Sequence, residues 1–413
     1  MKQLIGPFKQ LLTMDQVPLK GPIRDEELHV IEEGAVLIEF GLILEVGVFE
    51  AMAKKYTGEA DIIKFSEELI CLPGFIDSHT HICYSGTRAR DFGLRNGGSS
   101  YLEIAENGGG IWDTVTQTRL ANEHVLTQNV VSRANRHLSE GVTTIEVKSG
   151  YGLSVAEELK MLRSIQSADG LSYADLVSTC LAAHIKPKDF FGDNAGYLNH
   201  LVRELFPVIK QEKLTNRIDA FVEQGAFSAE EVRPYFDLAK AEGFALTVHA
   251  DQFHASGSAL AVEMGAVSAD HLEASTDREI EILAKSHTVA TALPGASIGL
   301  GCDFTPARKL LDAGACLAIA SDWNPGSAPM GDLIMQASAL ATFQKLTNAE
   351  VLSAITNRAA RALQLDDRGV LSKGMKADFV LYQTGHYNEI LYHQGKLTPS
   401  EVWKDGKQVF KKD

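Results

Sequence analysis

Pro73-Gly74-Phe75-Ile76-Asp77-Ser78-His79-Thr80-His81 reads as a short apolar strand that runs into two histidines. On an extended chain residues i and i+2 point to the same side, so His79 and His81 can reach one ion, whereas a helix would splay them apart. Two more metal-binding side chains, His249 and Asp322, stand far away in the sequence, each where an apolar run ends. Three imidazoles and a carboxylate suit a divalent zinc or iron ion with one position open to water, which makes a hydrolase the leading expectation. His-x-His by itself is equally compatible with two surface or core histidines, so the weight of the reading falls on the rest of the chain.

Outward from this stretch, β-prone runs alternate with longer segments of helical period, the pattern of βα units and a parallel sheet. The runs fall at 74–78, 143–148, 176–183, 217–222, 244–248, 266–269, 288–293 and 316–321. Eight of them predict a closed (β/α)8 barrel, whose chemistry sits at the C-terminal ends of its strands. Those ends carry His79 and His81, Lys148, His184, Glu223, His249, His271, Pro294-Gly295 and Asp322. Polar groups converging from eight distant places are not what unrelated core residues would produce.

Both ends of the chain differ from the middle. Residues 28–48 form short apolar stretches broken by Glu32-Glu33-Gly34, Gly41 and Gly47, and the C-terminus answers with Phe379-Val380-Leu381, Val402-Trp403 and Val409-Phe410. Asp405-Gly406 between the last two is a hairpin signal. The fold class expected is therefore α/β, a (β/α)8 TIM-like barrel over 73–367 with a small β-sandwich domain built from both termini, 1–72 and 368–413. The segment 82–141 is too long for a simple βα loop; it begins Gly86-Thr87-Arg88, contains Asn107-Gly108-Gly109-Gly110, and is expected to extend over the active-site mouth before a helix at 115–138.

At 413 residues the chain accommodates one large barrel and an appendage. Lysine and arginine number 39 against 54 aspartates and glutamates, a net charge of −15, which argues against nucleic acid or an anionic membrane as partner. Any anionic substrate must then be held by local positive charge. The five cysteines, Cys71, Cys83, Cys180, Cys302 and Cys316, are odd in number and show no Cys-x-x-Cys spacing, so neither disulfides nor a structural zinc site is expected and a reducing cytoplasm fits best. Gly6, Pro7 and Lys9 interrupt the apolar N-terminus, which lacks the unbroken run of a signal peptide, and no segment has the length of a membrane span. A homodimer is the expected assembly.

The strand 73–81 taken with His249, His271 and Asp322 resembles the amidohydrolase superfamily, and Gly369-Val370-Leu371 with Gly374-Met375-Lys376-Ala377-Asp378-Phe379-Val380 resembles its returning β-domain. The resemblance narrows with Arg88, Ser100-Tyr101-Leu102-Glu103-Ile104, Gly108-Gly109-Gly110-Ile111, Lys148-Ser149-Gly150-Tyr151-Gly152-Leu153, Ala183-His184, His249-Ala250-Asp251-Gln252, Ser268-Ala269-Asp270-His271, Leu293-Pro294-Gly295-Ala296 and Asp322-Trp323-Asn324-Pro325-Gly326-Ser327. Together, over nearly the whole chain, these strings are similar to the imidazolonepropionase family. Each string alone is weak; the ordered set is specific.

The resemblance implies metal-dependent hydrolysis of the ring C–N bond of 4-imidazolone-5-propanoate to N-formimidoyl-L-glutamate, in histidine degradation. Binuclear members of the superfamily place a carboxylated lysine at the end of the fourth strand, where this chain has Glu223-Gln224, so one metal per chain is expected, zinc or iron, on His79, His81, His249 and Asp322. Lys148 ends the second strand and is read as a structural or supporting ion pair. Asp322 can ligate and also accept the proton of the attacking water, with His271 relaying protons or holding that water or, alternatively, a fourth imidazole ligand or a buried hydrogen-bonded histidine. Arg88, with Tyr151 alongside, suits the substrate carboxylate, because a guanidinium fork binds carboxylate in two-pronged fashion. His184 can hydrogen-bond the ring, and Asn324, Gly326 and Ser327 can surround the reacting end. Gln252 stands where nucleobase deaminases of the superfamily carry a proton-shuttling glutamate; a carboxamide can only hydrogen-bond, which suits substrate binding.

Plainer readings stay open at this stage: a lid salt bridge for Arg88, rim packing for Tyr151 and His184, a simple turn at Asn324-Pro325-Gly326. So do a related cyclic amidase or deaminase, which nucleobase turnover would reveal, and a metal-free interaction protein, which metal analysis would reveal.

Overall fold

Eight parallel strands form the heart of the structure, a computed structural model that describes residues 2–99, 103 and 107–412. Five strands precede them: β1 (Lys2–Leu12), β2 (Val30–Glu39), β3 (Leu42–Val48), β4 (Ala60–Lys64) and β5 (Leu69–Pro73). The barrel strands are β6 (Phe75–Asp77), β7 (Val142–Lys148), β8 (Asp175–Ala183), β9 (Arg217–Val222), β10 (Ala245–Ala250), β11 (Ser268–His271), β12 (Val289–Ala292) and β13 (Leu317–Ile319), hydrogen-bonded in sequence order. Each expected run overlaps one of them. His249 is the penultimate residue of β10 and His271 the last of β11 rather than just beyond them, because the ladder β9–β10–β11 continues to Ala250 and His271.

The seam between first and last strands is closed by a parallel bridge between Thr80 and Trp323, with the His81 amide donating to the Trp323 carbonyl at 2.9 Å and the Asp322 amide to the His79 carbonyl at 3.0 Å. Residues of the first and last metal-binding strings thus form the closure itself.

The strands alternate as a two-sided surface must. On β7, Ile145 and Val147 are buried outward in the main apolar core, while Thr144, Glu146 and Lys148 occupy the other face; Arg217 and Asp219 on β9 and Ser268 and Asp270 on β11 follow the same period. The barrel lumen therefore holds fully buried charge.

The strands β1–β5 are joined by β14 (Phe379–Gln383), β15 (Glu401–Lys404) and β16 (Lys407–Lys411) in one sheet, ordered β16-β15-β14-β5-β1-β2-β3 with β4 on the side of β1. Its two halves share a core in which Ile5, Phe8, Val36 and Ile38 meet Phe379, Leu381 and Trp403, so the sheet curls over itself as a sandwich. A bridge from Leu42 to Lys376 ties its far edge back to the segment before β14. β1 is a strand that the sequence reading passed over: Pro7 has no N–H to give a ladder, and the structure absorbs it in a register shift between Ile5 and Phe8.

Segment 82–141 also departs from expectation. In place of one helix at 115–138 there are two, Ile111–Leu120 and Glu123–Ser139, because the Asn122 side chain accepts the Val125 amide at 2.9 Å and starts a new helix there. A further helix, Ala89–Asn96, precedes them. Ser100, Tyr101, Leu102 and Ile104 of the string 100–104 lie outside the described residues. Among the described residues, no helix is long and apolar enough to cross a membrane, and all five cysteines are unpaired.

Candidate active site

At the C-terminal mouth of the barrel the four sequence-predicted ligands meet. Nε2 of His81 lies 3.2 Å from Nε2 of His79 and 3.2 Å from Nε2 of His249, and 3.4 Å from Oδ1 of Asp322, which is 3.6 Å from Nε2 of His79. Burial pushes all three imidazoles well below their ordinary range, helped by their mutual proximity and by Lys148. Neutral rings with converging Nε2 lone pairs have no proton to share among them. A tetrahedral zinc with nitrogen at about 2.05 Å would set its ligands about 3.3 Å apart, close to these four distances, and His79, His81 and Asp322 form one cation-sized group. Burial likewise pushes the Asp322 carboxyl up to about 7.

The opposite nitrogens are held from below. His79 Nδ1 lies 2.7 Å from Oδ2 of Asp270 and His249 Nδ1 lies 2.9 Å from Oδ2 of Asp219. Since a carboxylate only accepts, the proton of His79 sits on Nδ1 and its Nε2 is left free to ligate, whereas the His249–Asp219 approach is a charge contact without hydrogen-bond geometry. His81 Nδ1 is buried without a hydrogen-bond partner in the protein.

His271 stands beside this cluster, its ring centre 5.4 Å from that of His249 and 5.8 Å from that of His79. It can complete a second cation-sized group with His79 and His249. Its backbone is left-handed at φ 85°, as is that of Leu272 at φ 71°, an uncommon conformation for such side chains that is held by the Thr305 hydroxyl on the His271 carbonyl at 2.5 Å. Burial would strip its proton, but the Glu273 carboxylate, 3.5 Å from Nδ1, outweighs this and raises it above the ordinary histidine range.

The cluster opens into a cavity of about 630 Å³, within the span usual for small-molecule sites. His81, His249, His271 and Asp322 line its floor, and Arg88, Tyr151, His184, Gln252, Asn324, Gly326 and Ser327 line its walls. Helix Ala89–Asn96 adds Asp91 and Arg95, and Ile111 opens the next helix, so described residues of the long segment line the mouth.

Arg88 Nε donates to Asp91 at 2.9 Å, while its two Nη groups have no hydrogen-bond partner among the described residues. Gly326 makes room for them: a Cβ there would stand 2.5 Å from Arg88 Nη1. Tyr151 is buried against His81 and His184, at ring distances of 6.0 and 5.7 Å, and burial raises its phenol. His184 Nδ1 lies 3.0 Å from the Gly150 carbonyl, and burial lowers the ring to about 4. It is thus neutral, with its proton on Nδ1 and Nε2 free to accept. Gln252 has no hydrogen bond within the described protein and presents a whole carboxamide to the cavity.

Asn324 is different. Its amide donates to the Asp322 carbonyl and to Ser327 Oγ at 2.6 and 2.9 Å, and its oxygen accepts the amides of Gly326 and Ser327 at 2.7 and 2.8 Å. Every one of its hydrogen-bonding positions is used in shaping the loop, so the turn reading describes what it does here. Ser327 Oγ reaches Asp322 Oδ2 at 3.3 Å.

Sequence reasoning missed Glu146, Asp219, Asp270 and Glu273. The first three carried a readable signal, an acidic residue inside a β-prone run, which a barrel lumen tolerates only with a partner.

The amidohydrolase family matches residues 70–409 of this chain. The imidazolonepropionase of Bacillus cytotoxicus is 40% identical over 413 residues, covering 98% of this chain and 96% of that protein. That of Bacillus mycoides is 40% identical over 403 residues, with 96% and 94% covered. Among solved structures, a triazine hydrolase variant superposes with a TM-score of 0.74 at 16% identity, covering 99% of this chain and 95% of that one. A zinc-bound adenosine deaminase from Xanthomonas campestris gives 0.70 at 18% identity, with 98% and 92% covered. At such identities the superpositions speak for the fold alone.

Proposed function

The chain belongs to the amidohydrolase family and, within it, to the imidazolonepropionases, and from that premise we infer that it is the metal-dependent hydrolase that opens 4-imidazolone-5-propanoate to N-formimidoyl-L-glutamate in histidine degradation. The observation that carries the reading is the convergence of three imidazole Nε2 atoms and one carboxylate in the same cavity as a guanidinium whose two Nη groups have no partner among the described residues.

His79, His81, His249 and Asp322 would hold one divalent ion, zinc or iron. Bound there, the ion supplies Lewis acidity that makes hydroxide available near neutral pH and polarises the ring carbonyl. Arg88 takes the propionate carboxylate on its two Nη groups, with the Tyr151 hydroxyl beside it. His184 Nε2 accepts from a ring N–H, and the Gln252 carboxamide meets the ring amide with donor and acceptor together. Asp322 accepts the proton of the attacking water. As the carbonyl carbon becomes a carboxylate and its bond to nitrogen breaks, His271 delivers a proton to the departing nitrogen. Asn324 holds the loop so that Gly326 and Ser327 face the reacting end.

Residues 73–367 form the catalytic unit in this reading and 1–72 with 368–413 the small β-domain; five unpaired cysteines favour a cytoplasmic enzyme, and a homodimer is the proposed assembly. The deciding experiment supplies freshly prepared imidazolone propionate to the purified, metal-loaded chain and follows loss of its ultraviolet absorbance. Turnover with formimidoyl-glutamate as product is expected; a stable absorbance together with turnover of a nucleobase would overturn the assignment.

A further inference from the structure

The second barrel strand buries a lysine beneath the metal-binding histidines, and no step proposed above uses it. Lys148 Nζ lies 2.8 Å from Oε1 of Glu146, 2.9 Å from Oδ2 of Asp219 and 3.8 Å from Oδ2 of Asp270. All four side chains are 1% exposed or less. Each carboxylate in turn grips a different part of the ligand set. Asp270 Oδ2 is 2.7 Å from His79 Nδ1. Asp219 is 2.9 Å from His249 Nδ1 through Oδ2 and accepts the His249 backbone amide at 3.2 Å through Oδ1. Glu146 Oε2 accepts the amide of Thr80, the residue between the two ligand histidines, at 3.2 Å.

We propose that Lys148 is a positioning residue for the metal centre, one ammonium that clamps three carboxylates and through them sets the orientation and tautomer of His79, the placement of His249 and the backbone between His79 and His81. Three carboxylates packed in a dry lumen repel one another, and each could relieve this by rotating away, which would undo the hold of Asp270 on His79, of Asp219 on His249 or of Glu146 on the Thr80 amide. The ammonium removes the incentive. Burial alone would strip its proton, yet Asp219, Glu146 and Asp270 hold it above the ordinary lysine range. Partners of this kind to ligating histidines govern metal affinity.

The inference rests on the metal site proposed above, and the test separates the two. Zinc affinity is measured by chelator competition on the full-length wild-type chain, Lys148→Met and Lys148→Arg, with circular dichroism to verify folding, and the visible spectrum of each cobalt-loaded protein is recorded. Lys148→Met is expected to bind zinc about 10- to 100-fold more weakly and to shift the cobalt bands, and Lys148→Arg to recover most of the affinity. Should Lys148→Met fail to fold, Lys148→Met/Asp270→Asn, which removes one buried charge of each sign, is compared with Asp270→Asn, and a weakening of at least tenfold is again expected through Asp219 and Glu146. Equal zinc affinity and unchanged cobalt bands in a folded Lys148→Met chain would overturn the proposal. Failure of both Met-bearing chains to fold would also overturn it, by assigning the lysine to the fold alone. A wild-type chain that binds no zinc or cobalt would instead defeat the metal reading itself.

Discussion

Arg88 Nε donates to the Asp91 carboxylate one helical turn away, at 2.9 Å, and this leaves the rest of the guanidinium without a partner among the described residues. The two readings offered by the sequence, salt bridge and substrate fork, are therefore compatible: one edge of the group is anchored and the other is available. Arg88→Ala should raise KM about 10- to 100-fold, as loss of a charge-assisted hydrogen bond of about 1.5–3 kcal/mol requires. Steady-state kinetics with metal content measured in parallel checks this, and metal should stay bound. Gly326→Ala should act in the same direction, since its Cβ would meet Nη1 at 2.5 Å and displace the fork; an unchanged KM in both variants would return Arg88 to a purely local role.

His249→Ala removes the imidazole whose Nε2 lies 3.2 Å from that of His81. Elemental analysis should find the site emptied and turnover abolished. Full metal content in this variant would remove His249 from the ligand set.

His271→Ala tests relay against ligand. A relay gives retained metal and a kcat lowered by about 10²- to 10⁴-fold, whereas parallel loss of metal and activity makes it a ligand. Retained metal with near-normal kcat would leave proton transfer to Asp322 alone.

A pH dependence of stability follows from His137, buried at the barrel seam between Asp77, 3.0 Å from Nε2, and Glu140, 3.4 Å from Nδ1, with Trp323 edge-on at 4.8 Å. Burial opposes its charge, but the two carboxylates overcome it and raise its pKa above 6.5. A folded-state pKa above the unfolded one gives stability that is fully present below the unfolded value and is lost as pH rises through the folded value. The melting temperature should fall as pH climbs from about 6.5, and His137→Gln should flatten that part of the profile. An identical slope in the variant would show that other groups set it.

The barrel was legible because apolar runs and strand-end histidines obey short-range rules: a period of two, then a polar side chain at the mouth. His79, His81, His249 and Asp322 could be named on that basis before any geometry. What stayed hidden depends on partners distant in sequence. Glu146 and Asp270 look anomalous in a strand until Lys148 is seen between them, and the engagement of Asn324 within its own loop appears only in three dimensions. β1 was hidden for a local reason, since Gly6-Pro7 breaks the strand pattern that the sheet repairs with a shift of register. The break at Asn122 turns on one capping hydrogen bond, worth about 1 kcal/mol, too small a preference to read against an otherwise helical run.

The bridge between Thr80 and Trp323 joins residues 323 − 80 = 243 positions apart. During synthesis the ribosome releases His79 and His81 early, as an isolated pair of imidazoles that can grasp a cation only loosely, and Asp322 arrives when more than three-quarters of the chain is already outside. If the four proposed ligands hold the ion, sealing the cylinder and assembling the four-point cradle are one event, which the wide sequence separation of its partners places among the slower contacts to form. In the proposed site, tight metal capture would then report that the barrel has closed, ahead of the last three strands of the terminal sheet, which follow Asp322 in the chain.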